Sequence, residues 1–343
     1  MSLLELESFD GLDETSFFTK WSHGWNNYNV VATFPAGRTN NCLKILSTSG
    51  STTSGILLPI NALESDTVVV GFAYKQTSWT ATGHTQFALN GVGGYHFDMY
   101  GEAASPIKLF RTAGVSREIK VANFSTWRYV EIKLFAHNTT GTCQVKIDRE
   151  LIVDFTGDTL GTAGRIAGFY LGTKESSANP YYVDDLYILN TAGSANNDFL
   201  GPIKIETLYP NGNGTTNNFT GSDADSTDNY LLVDDDPPDT ADYVETLTVS
   251  DLDLYNYTPL TTTNIEAVVG IRVESYIKLA ESGLKGFKHS ILSNTIPLDS
   301  AEMFHTNEDH KLFSTIHEQN PDGPATWTVS AVNLAEFGLK VTS

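Results

Sequence analysis

The amino-acid sequence predicts an all-β protein with two domains. Several short runs alternate apolar and polar residues, which is the period-two pattern of strands buried on one face. Turn-forming residues recur roughly every ten positions, and the periodicity of helices is almost absent. The chain has 343 residues, of which 40% are hydrophobic and 11% aromatic, so two packed cores are possible.

The first half of the chain contains a series of strand-like runs separated by turn residues. They are Tyr28 to Phe34, Leu43 to Leu46, Thr67 to Tyr74, His84 to Leu89, Tyr95 to Tyr100 and Ile107 to Phe110. Many short strands with regular turns are typical of a β-sandwich.

The segment from Trp127 to Phe155 predicts three further antiparallel strands. Apolar residues take every second position of the first two: Val130, Ile132, Leu134, Cys143, Val145 and Ile147. Turns at Asn138 to Gly141 and at Asp148-Arg149-Glu150 separate the strands. We expect the Trp127 ring to be buried at the start of a central strand.

One more strand, Tyr181 to Asn190, carries Asp184 and Asp185, one of which alternation would point to solvent. With the preceding segment it resembles the concanavalin A-like and laminin G-like jelly roll, in which a Trp opens a long central strand and an Asp-Asp-Leu-Tyr strand closes the domain. The resemblance implies a jelly-roll domain over residues 1–195. The small polar residues Asn190 to Asn197 predict a linker at its end.

The second domain, residues 196–343, is predicted to be a β-rich sandwich with one short helix. Its predicted strands are Ile203 to Leu208, Ile265 to Ala280 and Lys288 to Leu292. Both faces of the long run Ile265 to Ala280 are apolar, which favours a central position. Ser330 is the predicted cap of a helix whose apolar residues would pack on the sheet and which would stop at Gly338.

The second half also resembles a family of structural proteins in tailed bacteriophage particles. The motifs that carry the resemblance are Asn197-Asp198-Phe199-Leu200-Gly201, Glu206 to Gly212, Asp228-Asn229-Tyr230, Pro321-Asp322-Gly323 and Trp327-Thr328. The resemblance implies a virion protein that contacts other phage structural proteins in symmetric copies and is made in the host cytoplasm. We expect the second domain to dock on the particle.

Composition bears on partners. The net charge of −20 is interpreted as spread over the chain; it favours solubility and argues against nucleic acid as a partner. A basic leader and an apolar stretch of transmembrane length are both missing from the sequence, so neither export nor a membrane is expected. Cys42 and Cys143 fit two small buried residues in a reducing compartment.

Two groups of residues are candidate contacts. Asp223, Asp225 and Asp228 could supply oxygen ligands to calcium, although their spacing departs from an EF-hand, and a polar turn between strands is the alternative. Trp21, Trp25 and Trp79 could stack on a sugar ring or anchor a protein contact. Trp21 and Trp25 share one strand face with His23, so they could instead belong to the core.

The sequence shows none of the motifs that would indicate an enzyme. The Glu-x-Asp-x-x-Glu pattern of jelly-roll glycosidases is absent, as are the zinc-protease helix, the phosphate loop and the Gly-x-Ser-x-Gly elbow. We therefore expect a non-enzymatic structural protein without a cofactor, calcium aside. The alternative is an adhesin that binds host glycans, and a glycan-cleaving enzyme is a third possibility.

Overall fold

The computed structural model describes residues 2–23, 30–47, 54–60, 67–76, 84–91, 94–101, 108–112, 115–119, 124–162, 164–173, 180–323 and 326–343. Within these residues the chain forms twenty-five strands and two α-helices, which confirms the all-β prediction. The chain divides into two compact units. The first consists of Met1–Phe9 and Lys20–Ile205, and the second of Asp10–Thr19 and Glu206–Ser343.

The first unit contains strands β1 to β15. Their bounds are β1 Leu3–Glu7, β2 Ser22–His23, β3 Val30–Thr33, β4 Leu43–Ser47, β5 Ser54–Pro59, β6 Thr67–Gln76, β7 His84–Gly91, β8 Gly94–Gly101, β9 Lys108–Thr112, β10 Val115–Ile119, β11 Arg128–Phe135, β12 Gly141–Ile147, β13 Glu150–Gly157, β14 Ile166–Thr173 and β15 Tyr181–Asn190.

These strands form two antiparallel sheets. The eight-stranded sheet has the order β13-β12-β11-β6-β15-β4-β3, with β1 pairing β15, and the seven-stranded sheet has the order β10-β9-β8-β7-β14-β5-β2. Aromatic rings of the two sheets meet in the core: the Phe72 ring lies 4.9 Å from that of Phe87 and 5.3 Å from that of Phe169. The predicted sandwich is therefore present, and the alternation that predicted β11 to β13 gives their observed pairing.

Both carboxylates of β15 are buried, which corrects the expectation that one would face solvent. Asp185 has a positive φ of 50°, and the register of β15 with β6 shifts between Asp184 and Tyr187. A β-bulge of this kind interrupts the alternation of side chains, so two neighbouring residues can both be enclosed.

The residues before Glu206 are held to the first unit. Gly201 donates its backbone N–H to Glu131 Oε1 at 2.8 Å, and Ile205 donates to Asp185 Oδ1 at 2.7 Å. The units consequently divide after Ile205 rather than near residue 195, because backbone contacts anchor a stretch whose composition resembles a linker.

The second unit contains ten strands, two α-helices and a 3-10 helix. The strands are β16 Pro210–Asn217, β17 Thr220–Gly221, β18 Val244–Glu245, β19 Leu252–Tyr257, β20 Ile271–Ile277, β21 Lys285–Ser293, β22 Ile296–Asp299, β23 Met303–His305, β24 Lys311–His317 and β25 Glu336–Val341. The 3-10 helix is Asn229–Leu232, α1 is Glu14–Lys20 and α2 is Val329–Leu334. All of α1 except its last residue, Lys20, is assigned to the second unit.

The six-stranded sheet of this unit has the order β16-β19-β25-β21-β22, with β23 also pairing β21, and β17-β18 and β20-β24 form two-stranded sheets. Its core gathers around Trp327: the buried members are Val273, Ile291, Trp327, Val332, Ala335 and Phe337. The run predicted as a central strand, Ile265 to Ala280, gives the shorter β20, which within the described residues pairs with β24 alone. No strand forms over Ile203 to Leu208, where the chain is instead anchored to the first unit up to Ile205.

The C-terminal helix starts and stops at other residues than predicted. Thr328, in extended conformation, is the N-cap and accepts the N–H of Ala331 at 3.1 Å, so Ser330 lies inside α2. Gly338 does not end the helix but lies in β25, where a Cβ atom would collide with the Asp253 carbonyl. Leu334 is 76% exposed rather than packed on the sheet.

The other α-helix, α1, was not predicted from the sequence. Its cap is reciprocal: Asp13 Oδ1 accepts the N–H of Ser16 at 2.7 Å, and Ser16 Oγ accepts the N–H of Asp13 at 3.0 Å. No helix within the described part of the chain is long and apolar enough to cross a membrane. Cys42 and Cys143 are both buried, as predicted.

Candidate functional site

The structure describes one of the three tryptophans that are predicted to contact a sugar or a protein. Trp25 and Trp79 lie outside the described residues, so their predicted roles remain predictions. Trp21 is 1% exposed, and its ring centroid lies 6.1 Å from that of Phe9. A ring enclosed to this degree cannot stack on a sugar, and Trp21 therefore leaves the set of candidate contacts.

The three aspartates predicted to bind calcium lie on exposed turns after β17. Asp223 Oδ1 accepts the N–H of Asp225 at 3.3 Å, and Asp225 Oδ1 accepts the N–H of Thr227 at 2.7 Å. Asp228 adopts the left-handed conformation before the 3-10 helix. These local bonds are those of a polar turn. Across the described ranges, no group of three or more His, Cys, Asp or Glu side chains could hold a metal ion, so the calcium prediction gains no support.

Asp184 and Asp185 form a buried acidic pair that the protein itself neutralises. Arg38 Nη1 lies 2.6 Å from Asp185 Oδ2, and the backbone N–H of Arg38 donates to Asp184 Oδ2 at 2.8 Å. Burial, together with the neighbouring Asp185, raises the pKa of Asp184 to about 8. Because Asp185 also accepts the N–H of Ile205, the pair fastens the end of the first unit to its central strand.

One face of the seven-stranded sheet carries polar and aromatic side chains. Pairing places Ala88 between Asp98 on β8 and Tyr170 on β14, and Asn90 lies two residues along on the same face. Phe87 and Phe169 occupy the opposite, core-facing side.

Two polar atoms on this face are buried without a partner. Asn90 Oδ1 and Tyr170 Oη make no hydrogen bond to any described residue. Glycines make room for both side chains: a Cβ atom at Gly168 would lie 3.1 Å from Asn90 Oδ1, and one at Gly55 would overlap the Tyr170 ring. Buried polar atoms are rarely left unpaired in native proteins, so a bound water, or a ligand hydroxyl that replaces it, would satisfy these two enclosed atoms.

The second unit contains a buried chain of hydrogen-bonding side chains. His289 Nε2 lies 2.8 Å from Ser275 Oγ, and His289 Nδ1 lies 2.8 Å from Thr315 Oγ1. Thr315 Oγ1 lies in turn 3.0 Å from His317 Nε2. Burial, reinforced by His317, lowers the pKa of His289 to about 3. The neutral, enclosed imidazole thus links β20, β21 and β24 through two hydroxyl groups.

Charge is divided unevenly between the units. The first has 16 acidic and 15 basic side chains, a net charge of −1, and the second has 25 acidic and 6 basic side chains, a net charge of −19. Residues 205–271 hold 13 acidic side chains and no Lys, Arg or His. The interpretation of the charge as spread over the chain was therefore wrong. The run without cations is visible in the sequence and would have revealed this.

Exposed apolar side chains follow the same division. Among the described residues ten large hydrophobic side chains are exposed, and nine of them belong to the second unit. Four lie in the acidic stretch: Leu231, Tyr243, Leu247 and Val249. Leu247 is 96% exposed and Val249 56%.

Residues 246–251, here the Leu247 turn, are held in place by hydrogen bonds. Thr246 Oγ1 donates to Asp251 Oδ2 at 2.5 Å. Ser250 donates its backbone N–H to the Val341 carbonyl at 3.0 Å, and Val341 donates to the Asp251 carbonyl at the same distance. The turn is thus closed by its own Thr246–Asp251 bond and attached at its C-terminal end to the last strand of the sheet, and it presents Leu247 to solvent.

A cleft of about 450 Å³ lies in the second unit. Its lining includes Asp13, Ser16, Pro237, Pro238, Asp239 and Tyr276. Two carboxylates beside an aromatic ring are suited to a cationic group such as a Lys or Arg side chain.

Comparisons with known proteins return remote likenesses in structure. No protein-family model matches the sequence, and no curated protein is similar to it in sequence. Among solved structures, the cellulose-induced protein Cip1 is 15% identical, with a TM-score of 0.39 over 50% of this chain and 91% of its own.

Two other structures are similar to the same extent. Domain 4 of AbnA, an arabinanase of Geobacillus stearothermophilus solved with arabinotriose, is 17% identical, with a TM-score of 0.36 over 55% of this chain and 92% of that domain. A carbohydrate esterase of the Shiga toxin-encoding bacteriophage phi24B is 14% identical, with a TM-score of 0.38 over 54% of this chain and 99% of its own. The descriptions of these last two structures name a carbohydrate ligand or a carbohydrate-active enzyme, and that of Cip1 names cellulose as its inducer. The values are too low to transfer an activity to this chain.

Proposed function

We propose that this protein is a non-enzymatic structural component of a tailed phage particle that docks on other particle proteins through its second unit. The observation that carries the proposal is the division of surface character: the second unit holds a net charge of −19 and nine of the ten exposed large hydrophobic side chains of the described residues. Exposed apolar groups in a charged surround are typical of protein contacts. The sequence resemblance of the second half to phage structural proteins supports the same assignment.

The two surface properties have separate tasks in such a protein. Like charges on the second units keep free copies apart in the host cytoplasm, and they are attracted to a partner of opposite charge. Apolar side chains then supply the contact energy once the surfaces meet. The protein is incorporated in symmetric copies, each burying at least about 1,000 Å² against a coat, tail or baseplate protein.

Protein identification by mass spectrometry on gradient-purified particles tests the proposal. We expect the protein to co-sediment with particles at a constant ratio to a known structural protein across the gradient. The matched control is an abundant cytoplasmic host protein, whose ratio should fall with each purification step. Recovery of the protein from the lysate alone, with none on particles, refutes the structural role.

A second candidate function is glycan binding by the first unit. It rests on the unpaired Asn90 Oδ1 and Tyr170 Oη, which share one sheet face with Asp98. Hydroxyl groups of a sugar are suited to such atoms. Glycan-array binding by the full chain would favour this function, provided that Tyr170→Phe, which removes the unpaired hydroxyl, weakens it while Tyr182→Phe on the half-buried ring of β15 does not.

A further inference from the structure

The Leu247 turn combines two features that rarely occur together in an isolated surface loop. Its apolar side chains are strongly exposed, and its backbone is ordered by hydrogen bonds to its own residues and to Val341. A single exposed leucine needs no explanation. A fixed turn that presents Leu247 and Val249 two positions apart has already lost the conformational freedom that a binding loop must otherwise give up.

Charge around the turn indicates what kind of surface can approach it. Glu245 precedes the turn and Asp251 is its last residue, and the chain carries no Lys, Arg or His anywhere between residues 205 and 271. Earlier in the same acidic stretch of sequence, Pro237 to Asp239 line the cleft that is suited to a cation. An approaching surface must therefore supply positive charge, since an acidic one would be repelled.

We propose that the Leu247 turn is the anchor of a docking surface for a basic partner protein, with Leu247 and Val249 entering an apolar pocket bordered by Lys or Arg side chains. The inference rests on the proposed docking function and specifies its partner. A second copy of this chain is disfavoured as the occupant, because each copy would bring a unit of net charge −19 to the contact.

Two synthetic peptides of equal positive charge serve as probes: an amphipathic peptide of leucine and lysine, and an oligolysine. Binding of each to the full chain is measured by titration calorimetry at two salt concentrations. We expect the amphipathic peptide to bind at least about tenfold more tightly than oligolysine, since apolar contact adds to charge. Its affinity should also survive added salt better.

The double variant Leu247→Ser, Val249→Ser should reduce the affinity for the amphipathic peptide to that for oligolysine. Leu334→Ser is the matched control, because Leu334 is 76% exposed in the same unit but outside the acidic stretch, and it should change nothing. Equal binding of both peptides to the unaltered protein, or binding of neither, overturns the inference. An equal loss in the Leu334→Ser variant does so too.

Particle incorporation separates this inference from the function on which it rests. If the double variant is folded and still co-sediments with particles at the normal ratio, the Leu247 turn is not the anchor although the protein is structural. If the unaltered protein is absent from particles while the peptide results are as expected, the turn binds a basic partner elsewhere. Self-association of the chain that the double variant abolishes would identify a second copy as the occupant and overturn the basic partner.

Discussion

The two units of this protein are stabilised in different ways. The first is a sandwich whose interior is aromatic and aliphatic, with Phe72 meeting rings of both sheets. Both units bury polar groups, but their share is larger in the second: among the described residues it has 10 buried polar residues beside 13 buried hydrophobic ones, against 12 beside 42 in the first. In the second unit Asp253 is fully buried, and His289 links Ser275 to Thr315. Their surfaces differ as well, since the first is nearly neutral and the second strongly acidic.

This difference shows how a unit can tolerate high surface charge. Repulsion among like charges opposes compactness, so a strongly acidic unit needs internal contacts that offset it. Hydrogen-bonded networks impose a specific geometry and are costly to break. We infer that the interior of the second unit is specified by polar contacts to a greater extent than that of the first, and substitutions in both units test this contrast.

The largest loss of stability is expected from a substitution in the apolar core of the first unit. Phe72→Ala removes a fully buried ring and should lower the free energy of unfolding of that unit by about 3–5 kcal/mol. Denaturation followed by hydrogen exchange of β6 and β21 assigns the loss to a unit. Phe135→Ala is the control, because that ring is half-buried and stacks on His137 at 5.7 Å. Equal losses for the two would contradict a core centred on Phe72.

Asp253→Ala should destabilise the second unit by about 2–4 kcal/mol, because it leaves several buried donors unsatisfied. Its carboxylate accepts four hydrogen bonds, from the N–H groups of Asn218 and Phe219, the amide of Asn229 and the hydroxyl of Tyr255. Exchange in the first unit should not change. Asp225→Ala, at an exposed position with a local bond to Thr227, is expected to have little effect. A loss of protection in β6 would show that the network is not confined to its unit.

The units should respond to pH in opposite directions. In the first, burial raises the pKa of Asp184 from 3.8 to about 8, so the folded state holds a proton that the unfolded chain has released, and stability falls as pH rises through that interval. In the second, the pKa of His289 falls from 6.5 to about 3, so stability is present above pH 6.5 and falls as pH decreases toward 3.

Hydrogen exchange measured separately for each unit between pH 4 and pH 8, and corrected for the intrinsic exchange rate, gives the slope of stability against pH for both units. Asp184→Asn should flatten the slope of the first unit, and His289→Gln that of the second, because neither substitute titrates in this range. The slope is compared rather than the absolute stability, since each substitution also changes hydrogen bonds. Parallel slopes in the two units of the unaltered protein would contradict the assignment of these two groups.

Local alternation predicted the first unit well and the second poorly. The strands β6, β11, β12 and β15 have clear period-two or apolar patterns and are confirmed with nearly the predicted bounds. In the second unit, strand β16 consists of the residues PNGNGTTN, whose composition indicates a turn. It is a strand because β19 pairs with it. Such pairing is a tertiary effect, which the intrinsic strand propensity of the residues does not predict.

The candidate sites show the same limit. The acidic run from residue 205 to 271 can be read directly from the sequence. The exposure of Leu247 cannot, because the sequence alone does not distinguish a leucine on the surface from one in the core. The adjacent Asp184 and Asp185 are evident in the sequence, but the bulge that buries both depends on the register with β6. The cap at Asp13 was visible as an Asp followed three residues later by Ser, and it was missed.

The smallest effect on stability is expected for Trp127→Ala, although the sequence predicts a large one. Trp127 was expected to be buried at the start of a central strand, but its ring is half-buried, with Lys75 Nζ 5.7 Å from its centroid and the Tyr182 ring 6.4 Å away. Trp127→Ala should therefore cost about 1–2 kcal/mol, which is the loss of partial burial and a cation–π contact.

Trp327 is the appropriate comparison, since it is fully enclosed in the core of the second unit and its Nε1–H donates to the His317 carbonyl at 3.0 Å. Trp327→Ala should cost at least twice as much as Trp127→Ala, because it opens a cavity and removes the hydrogen bond to that carbonyl. Denaturation of the two variants, with exchange in β6 and β21 to assign the affected unit, measures the difference. Equal costs would mean that the Trp127 ring is enclosed in solution, as the jelly-roll resemblance implies.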